Sequence, residues 1–397
     1  MAKLGMPNVI VSFQEAGIAA IERSKRGIVA LILEEPQSTI DEITGANSSI
    51  VGYAVTGQAT VSDAVAENVE ENPFTVYTTD DIPDILSDKN KDYINKCLLG
   101  YVTTPYRIKI YLQPTMADNP ADKWNDTLKK LSTDRWDYLA IPTASESQYE
   151  TLATWIKSNR ENKYKKVKIV LAGYAGDYEG IINFGNTTIR TTSGSYTPAE
   201  YTARIAGLIA GTPLTISATY APLAEVIDCD KHDLDENDEK VNEGEFFVWY
   251  DGEKFKMSRA VNSLVTTTQG KQEGYQTIKI VDIMDMIFDD IRKTAQDSYL
   301  GKYTNDYDNK CILITAIMGY FKQLESERLL QKDYSTVEID TTAVKNYVMS
   351  QGLYSKDELA KMSDQEIKQL DTRKKVFLTA KVKILDAMED IILPISI

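Results

Sequence analysis

Residues 7–14, PNVIVSFQ, alternate: Val9, Val11 and Phe13 fall on one side, Asn8, Ile10 and Ser12 on the other. A period of two predicts a short strand. A charged patch, ERSKR at 22–26, separates it from the apolar run GIVALILEEP at 27–36. That run predicts a strand buried on both faces. A Gly-, Ser-, Thr- and Val-rich stretch follows, with SSIVGYAV at 48–55. Residues 28–74 therefore read as a small β-rich module.

From Phe74 the rhythm changes. Helical spacing at 88–100 is followed by a strand at 107–114, RIKIYLQP. A helix at 121–132, a strand at 136–142, a helix at 147–160 and a strand at 167–173 come next. This alternation predicts βαβ units around a parallel sheet. A helix over 197–211 opens with Thr197 as N-cap, Pro198 at the first helical position and Glu200 completing a capping box. Residues 228–245 read as an acidic loop, and 245–259 as two strands joined at Asp251-Gly252. An amphipathic helix over 282–301 carries Ile283, Met284, Ile287, Phe288, Ile291 and Ala295 on one face and ends at Gly301. Its carboxylates Asp282, Asp285, Asp289 and Asp290 fall mainly opposite, as a solvent or subunit-contact face. A second helix, about 308–330, places Ile314, Ile317, Phe321 and Leu324 together and Lys310, Lys322 and Arg328 at its surface.

The end of the chain alternates again. KVFLTAKVKIL at 375–385 sets Val376, Leu378, Ala380, Val382 and Ile384 on one side. After DAME, DIILPISI at 390–397 repeats the pattern with Ile391, Leu393, Ile395 and Ile397. Such segments are costly to leave in water. They either pair within their own chain or add to a neighbour's sheet edge by β-augmentation. A head-to-tail exchange that does not close makes a helical polymer.

Composition narrows the function. With 59 acidic residues against 44 basic, the net charge of −15 argues against a nucleic-acid binder. No run reaches the roughly 18 apolar residues of a membrane span, and MAKLGMPNVIVSF lacks the features of a secretory signal. Cys97, Cys229 and Cys311 are odd in number and far apart, as in a reduced cytoplasm. The single histidine, His232, sits among carboxylates and reads as a surface residue, which leaves little for triads or imidazole metal sites. Gly301-Lys302 is followed by Tyr303 and lacks the first glycine of a phosphate loop, at Gln296; the glycines at 173, 176 and 180 miss the dinucleotide spacing. An EF-hand started at Asp233 fails at Asp238 and Gly244. No catalytic, cofactor or metal residue is assigned.

The sequence resembles the tail sheath proteins of contractile-tailed phages and phage-tail-like bacteriocins of the Gram-positive type. The likeness covers nearly the whole chain. It is carried by 7–33, by 196–226 with RIAGLIAGTPLTISATY, by 251–271 with VNSLVTT, by 279–306 and by 381–397. It implies an α+β multidomain protein whose assembly domain, sheet plus helices, is built from terminal segments, with the β-rich module and an α/β domain inserted. The implied boundaries are 1–27 for the N-terminal arm and linker, 28–74 for the module, 75–257 for the α/β domain, 258–385 for the assembly domain and 386–397 for the C-terminal arm. The implied function is a structural subunit, not an enzyme. It polymerises helically around an inner tube and shortens to drive that tube through a target envelope. Each arm would lend a strand to a neighbour, through Val9, Val11 and Phe13 and through Ile391, Leu393, Ile395 and Ile397. Linkers at 16–26 and 386–389 would flex. Partners would be further copies, the tail tube protein, and baseplate and terminator proteins, with no nucleic acid, no cofactor and no membrane insertion. Lys310, Lys322 and Arg328 are candidate tube contacts. The particle would assemble in the bacterial cytoplasm and end as a virion tail or a released tail-like particle. A hydrolase or nucleotide-binding enzyme on the α/β domain and a non-contracting, self-assembling shell protein are the alternatives.

Overall fold

The computed structural model describes residues 20–45, 71–116 and 122–396. These fall into two compact units. One comprises Ser24–Asp289 with residues 384–396; the other comprises residues 20–23 with Asp290–Lys383. The expected strands at 7–14 and 48–55, with Val9, Val11, Phe13 and also Ile397, lie outside the described residues.

In chain order the larger unit contains β1 (Ile28–Glu35), α1 (Gln37–Ile43), β2 (Phe74–Val76), α2 (Asp88–Leu98), β3 (Arg107–Pro114), α3 (Asn125–Thr133) and β4 (Tyr138–Ala140). It continues with α4 (Glu146–Glu161), β5 (Lys168–Ala172), β6 (Ile181–Phe184), β7 (Ile189–Thr191), β8 (Gly194–Tyr196), α5 (Pro198–Ala210) and β9 (Val226–Cys229). Then come α6 (Leu234–Asn242), β10 (Glu245–Phe246), β11 (Val248–Tyr250) and β12 (Phe255–Met257). Helix α7 (Ile278–Thr294) carries the unit boundary between Asp289 and Asp290. Seven of the described strands form a sheet ordered β10-β6-β5-β4-β1-β3-β2, parallel throughout except for β2 on β3.

β1 shows why the 27–36 run is apolar throughout. It is central, paired with β3 from Ile28↔Arg107 to Glu35↔Pro114 and with β4 on its other side. Val29, Leu31 and Leu33 join a core with Tyr93, Cys97, Ile205 and Leu208 from α2 and α5. Ile28, Ala30 and Ile32 join a second core with Leu128, Leu131, Leu152 and Ile156 from α3 and α4. Successive side chains point to opposite faces, and both faces are covered. This corrects the separate module at 28–74. Its first strand is the middle of the α/β sheet, its last residue, Phe74, opens the edge strand β2, and 37–43 is helical. A near-continuous apolar strand belongs in a parallel sheet with helices on both sides, not in a small satellite.

The acidic run is also corrected. Leu234–Asn242 is a helix whose N-cap, Asp233, accepts a hydrogen bond from the Glu236 N–H at 2.9 Å, while the Glu236 carboxylate accepts from the Asp233 N–H at 3.1 Å. The expected cap of α5 is present: Thr197 Oγ1 accepts from the Glu200 N–H at 3.3 Å, and Glu200 accepts from the Thr197 N–H at 2.8 Å. Asp251 Oδ1 likewise accepts from the N–H groups of Glu253 and Lys254, both at 2.9 Å, to close the β11–β12 hairpin.

The smaller unit contains α8 (Tyr307–Ser326), β13 (Thr336–Ile339), α9 (Thr341–Ser350), α10 (Lys356–Ala360), α11 (Asp364–Gln369) and β14 (Leu378–Lys381). Ile339, Val344 and Ile367 form a small core, against which Ile314, Met362 and Phe377 pack. The units part at 289/290 rather than at 258. Residues 258–289 are bonded into the α/β unit: the Ser263 N–H donates to the Ile181 carbonyl at 2.9 Å, and Ile278 joins the first core.

Gly207 sets the approach of α5 to α2. A Cβ there would lie 2.0 Å from the Cys97 carbonyl oxygen, a backbone atom that cannot swing away. Gly207→Ala should therefore destabilise the α/β unit by about 1–3 kcal/mol, against the usual gain from alanine in a helix. Urea unfolding of the purified chain reads the sign directly.

Candidate assembly interface

A doubly wound sheet places ligands outside the carboxyl ends of its strands, where the strand order reverses. Here that position lies at β1, flanked by β3 and β4. The Glu35 carboxylate is buried and accepts from the Ser87 N–H, the Ser87 hydroxyl and the Asn90 amide, each at 2.8 Å. It thereby fixes the start of α2. Glu34 pairs with Lys123 at 2.8 Å and accepts from the Thr143 hydroxyl at 2.5 Å. The acids at this end thus tie helices to the sheet. Among the described residues, no group of three or more His, Cys, Asp or Glu is placed to hold a metal ion.

The carboxylates of α7 do not form the expected solvent face. Asp285 is buried and takes a bidentate pair from Arg160, at 2.9 and 3.0 Å, with Lys168 on the same carboxylate at 2.5 Å. Asp282 pairs with Lys168 at 2.8 Å and accepts from the Tyr138 hydroxyl at 2.6 Å. Asp289 meets Arg26 at 2.6 Å, and Arg26 reaches Asp137 at 3.4 Å. Burial raises the cost of the Asp285 charge, yet Lys168 and Arg160 outweigh it and hold the carboxyl down at about 2. Asp289 goes the other way: burial, only partly offset by Arg26, raises its pKa. Within the smaller unit, Asp290 is buried and accepts from the Tyr320 hydroxyl at 2.7 Å. The expected apolar stripe is rotated accordingly. Val281, Ile283 and Met286 are buried, whereas Ile287, Phe288 and Ile291 are half-buried. Lys168 inside an otherwise apolar strand was the signal that a buried acid must face it.

The 20–26 segment is pinned rather than free. Ile21 is buried, the Glu22 N–H donates to Thr294 at 3.3 Å, and Arg23 pairs with Glu327. Lys310 is another correction. It is 4% exposed, on the first turn of α8, and does not present its charge at the surface. Lys322 is exposed but engages Glu325 at 2.8 Å and Asp333 at 3.0 Å. Arg328 is exposed just past α8, with φ of 60°.

The terminal alternating segments behave unlike the rest. β13 and β14 pair antiparallel from Thr336↔Lys381 to Ile339↔Leu378 as a sheet of two strands, and no residue of 376–385 is buried. Both outer edges lack a strand partner among the described residues. Two short strands alone are marginal, and free edges are templates for another strand. Beyond them, Ile391, Ile392, Leu393 and Ile395 are 83%, 93%, 73% and 78% exposed, and 391–396 form no strand.

Two family descriptions match: the phage tail sheath protein central domain over residues 118–263, and the phage tail sheath C-terminal domain over residues 271–397. The tail sheath protein of Clostridium phage phiCD119 is 34% identical over 390 residues, covering 98% of each chain. The chain belongs to the phage tail sheath family. Solved sheath folds agree with this. The sheath tail protein of Desulfitobacterium hafniense matches with a TM-score of 0.64 at 16% identity, over 84% of this chain and 94% of that one. The helical sheath of the anti-feeding prophage in its contracted state matches with a TM-score of 0.63 at 14% identity, over 99% of both chains. This sheath-family chain therefore has the multidomain α+β fold that its sequence implies. The two family descriptions divide between residues 263 and 271, nearer the expected boundary at 258 than the break between compact units.

Removing the acid between Arg160 and Lys168 should leave two buried cations under-compensated, with only Glu179 at 3.7 Å from Arg160 and Asp282 at 2.8 Å from Lys168. Asp285→Ala is expected to lower the unfolding free energy by roughly 3–5 kcal/mol in urea titrations. The pH dependence has a defined sign. A carboxyl held below its ordinary value contributes fully above about pH 4, and the contribution is lost as pH falls towards 2. Wild type should lose more stability across that window than Asp285→Asn.

Proposed function

We propose that this sheath subunit polymerises helically around an inner tail tube and that the polymer shortens to drive the tube through a target cell envelope. The observation that carries the reading is the exposed apolar arm at 391–396, together with the two-edged β13–β14 sheet. The donor and the acceptor of a strand exchange are both present in one chain. In this reading, 290–383 is the core of the assembly domain. Ile391, Leu393, Ile395 and Ile397 add to the β13–β14 edge of a neighbour, as do Val9, Val11 and Phe13. Backbone ladders give the joint its affinity, and alternate side chains set its register. Each subunit donates and accepts, so the contact is heterologous and propagates as a helix.

The α/β unit moves as a body while the paired strands keep neighbours connected. Shortening driven by contacts formed between subunits needs no bound nucleotide, which fits a structural rather than a catalytic role. The remaining partners are the tube protein, the baseplate and the terminator. Arg328, and Lys322 where a tube acid displaces Glu325 or Asp333, are the surface cations of α8 and its end that would meet an acidic tube; Lys310 is not among them. Assembly takes place in the bacterial cytoplasm, and the product is a virion tail or a released tail-like particle.

Electron microscopy of the purified chain, beside a version ending at Met388, tests this. Regular tubes from the full chain, formed alone or on tube protein, and dispersed particles from the shortened one are expected. Tubes of the same pitch from both would rule out a structural role for the arm.

A further inference from the structure

The root of the C-terminal arm is largely exposed, and polar and charged side-chain contacts hold it. Met388 is 94% exposed, and residues 386–392 border a cavity of about 990 Å³ whose other wall includes Val241, Asn262 and Gln276. Little apolar packing fixes this stretch. What does fix it is specific. Arg259 Nε lies 3.2 Å from Glu389 Oε2, and Arg259 Nη2 donates to Asp390 Oδ1 at 2.5 Å. The Thr219 hydroxyl donates to the other oxygen of Glu389 at 2.6 Å. Thr219 is itself tied to the body, since its oxygen accepts from the Ala260 N–H at 2.9 Å. Lys279 is a largely buried lysine at the start of α7. Burial lowers its pKa, and the charges of Asp386 and Glu389 work against that lowering.

The sequence arrangement matches this geometry. Three acids, Asp386, Glu389 and Asp390, precede IILPISI without a cation between them. The receiving surface supplies Arg259 and Thr219, drawn from segments far away in the chain. Acidic root and apolar arm are therefore distinct parts with distinct partners. The root is matched to its own subunit, and the arm is left unmatched.

We propose that Arg259, with Thr219, is an electrostatic clasp that fixes where and in which direction the C-terminal arm leaves its subunit. The inference rests on the arm-exchange reading. Three consequences follow from its chemistry. The clasp pre-orders the root, which lowers the entropy that the arm loses on docking. It is released by screening, because its ion pairs lie near the surface. It tolerates exchange of its charges, since matched charge rather than shape holds it.

The test uses the full chain with Cys311→Ser, leaving Cys97 and Cys229 buried, and a nitroxide label on Met388→Cys. The ratio of mobile to immobile spectral components should rise roughly fivefold or more in Arg259→Glu. Raising the salt to about 0.5 M should do the same in the unsubstituted clasp. Arg259→Glu combined with Glu389→Arg and Asp390→Arg should return most of the immobile component. Arg259→Glu should also slow tube formation several-fold and give irregular tubes, and the charge exchange should recover both. An unchanged unfolding midpoint in Arg259→Glu separates these effects from misfolding. An immobile root in Arg259→Glu, a mobile root with normal tubes, or no recovery on charge exchange would each overturn the clasp. Failure of the underlying reading looks different: the chain ending at Met388 would assemble normally whatever stands at 259.

Discussion

An apolar strand must pair its backbone and cover alternate side chains, and residues 391–396 do neither within their own fold. Ile391, Ile392, Leu393 and Ile395 stand in solvent. Burying them is worth roughly 1.5–3 kcal/mol each, or about 6–12 kcal/mol together. Ordering six residues of backbone costs about 1–2 kcal/mol per residue, a sum of the same size. Docking of one isolated arm is thus close to balanced. Net affinity must come from the hydrogen-bonded ladder, from a root already held in place and from the many joints that a polymer makes at once. A weak joint repeated many times suits an assembly whose members change contacts without separating.

The α/β unit supplies the opposite property. Its central strand feeds two cores, and α7 is fastened by ion pairs at Asp282, Asp285 and Asp289 rather than by apolar packing alone. A buried ion pair is weak evidence for net stability, but breaking one is expensive. Such contacts tolerate little displacement, because a small shift strands a charge in a low dielectric. The interior of the unit is therefore suited to resist deformation.

Much of this was legible in the sequence where local chemistry decides. Strand 107–114 has the predicted limits, the α5 capping box is made by Thr197 and Glu200, and the Asp251 turn closes the hairpin. The misses share one cause, a partner far away in sequence. Ile28–Glu35 looked like the start of a small module because its neighbours, β3 and β4, begin 79 and 110 residues later, counting from Ile28 to Arg107 and Tyr138. Asp285 looked solvated because Arg160 and Lys168 lie 125 and 117 residues away. Lys310 looked exposed on helical spacing, yet it is buried. Helix α6 was a local miss, since Asp233 and Glu236 form a capping box that the density of charge obscured. The apolar alternation of the C-terminal segment was legible, and Ile391, Leu393 and Ile395 stand exposed. The clasp at its root was not legible, because Arg259 gives no sign of its partners 130 residues on.

The central claim is that one copy's arm completes another copy's sheet. Disulfide trapping in assembled sheath tests it most directly, with Leu393→Cys and Thr379→Cys placed in a Cys311→Ser chain. Strand exchange predicts a ladder of covalent multimers on a non-reducing gel after mild oxidation, absent from either single-cysteine control. A product that stays at monomer mass, with its two cysteines joined within one chain, would contradict the account.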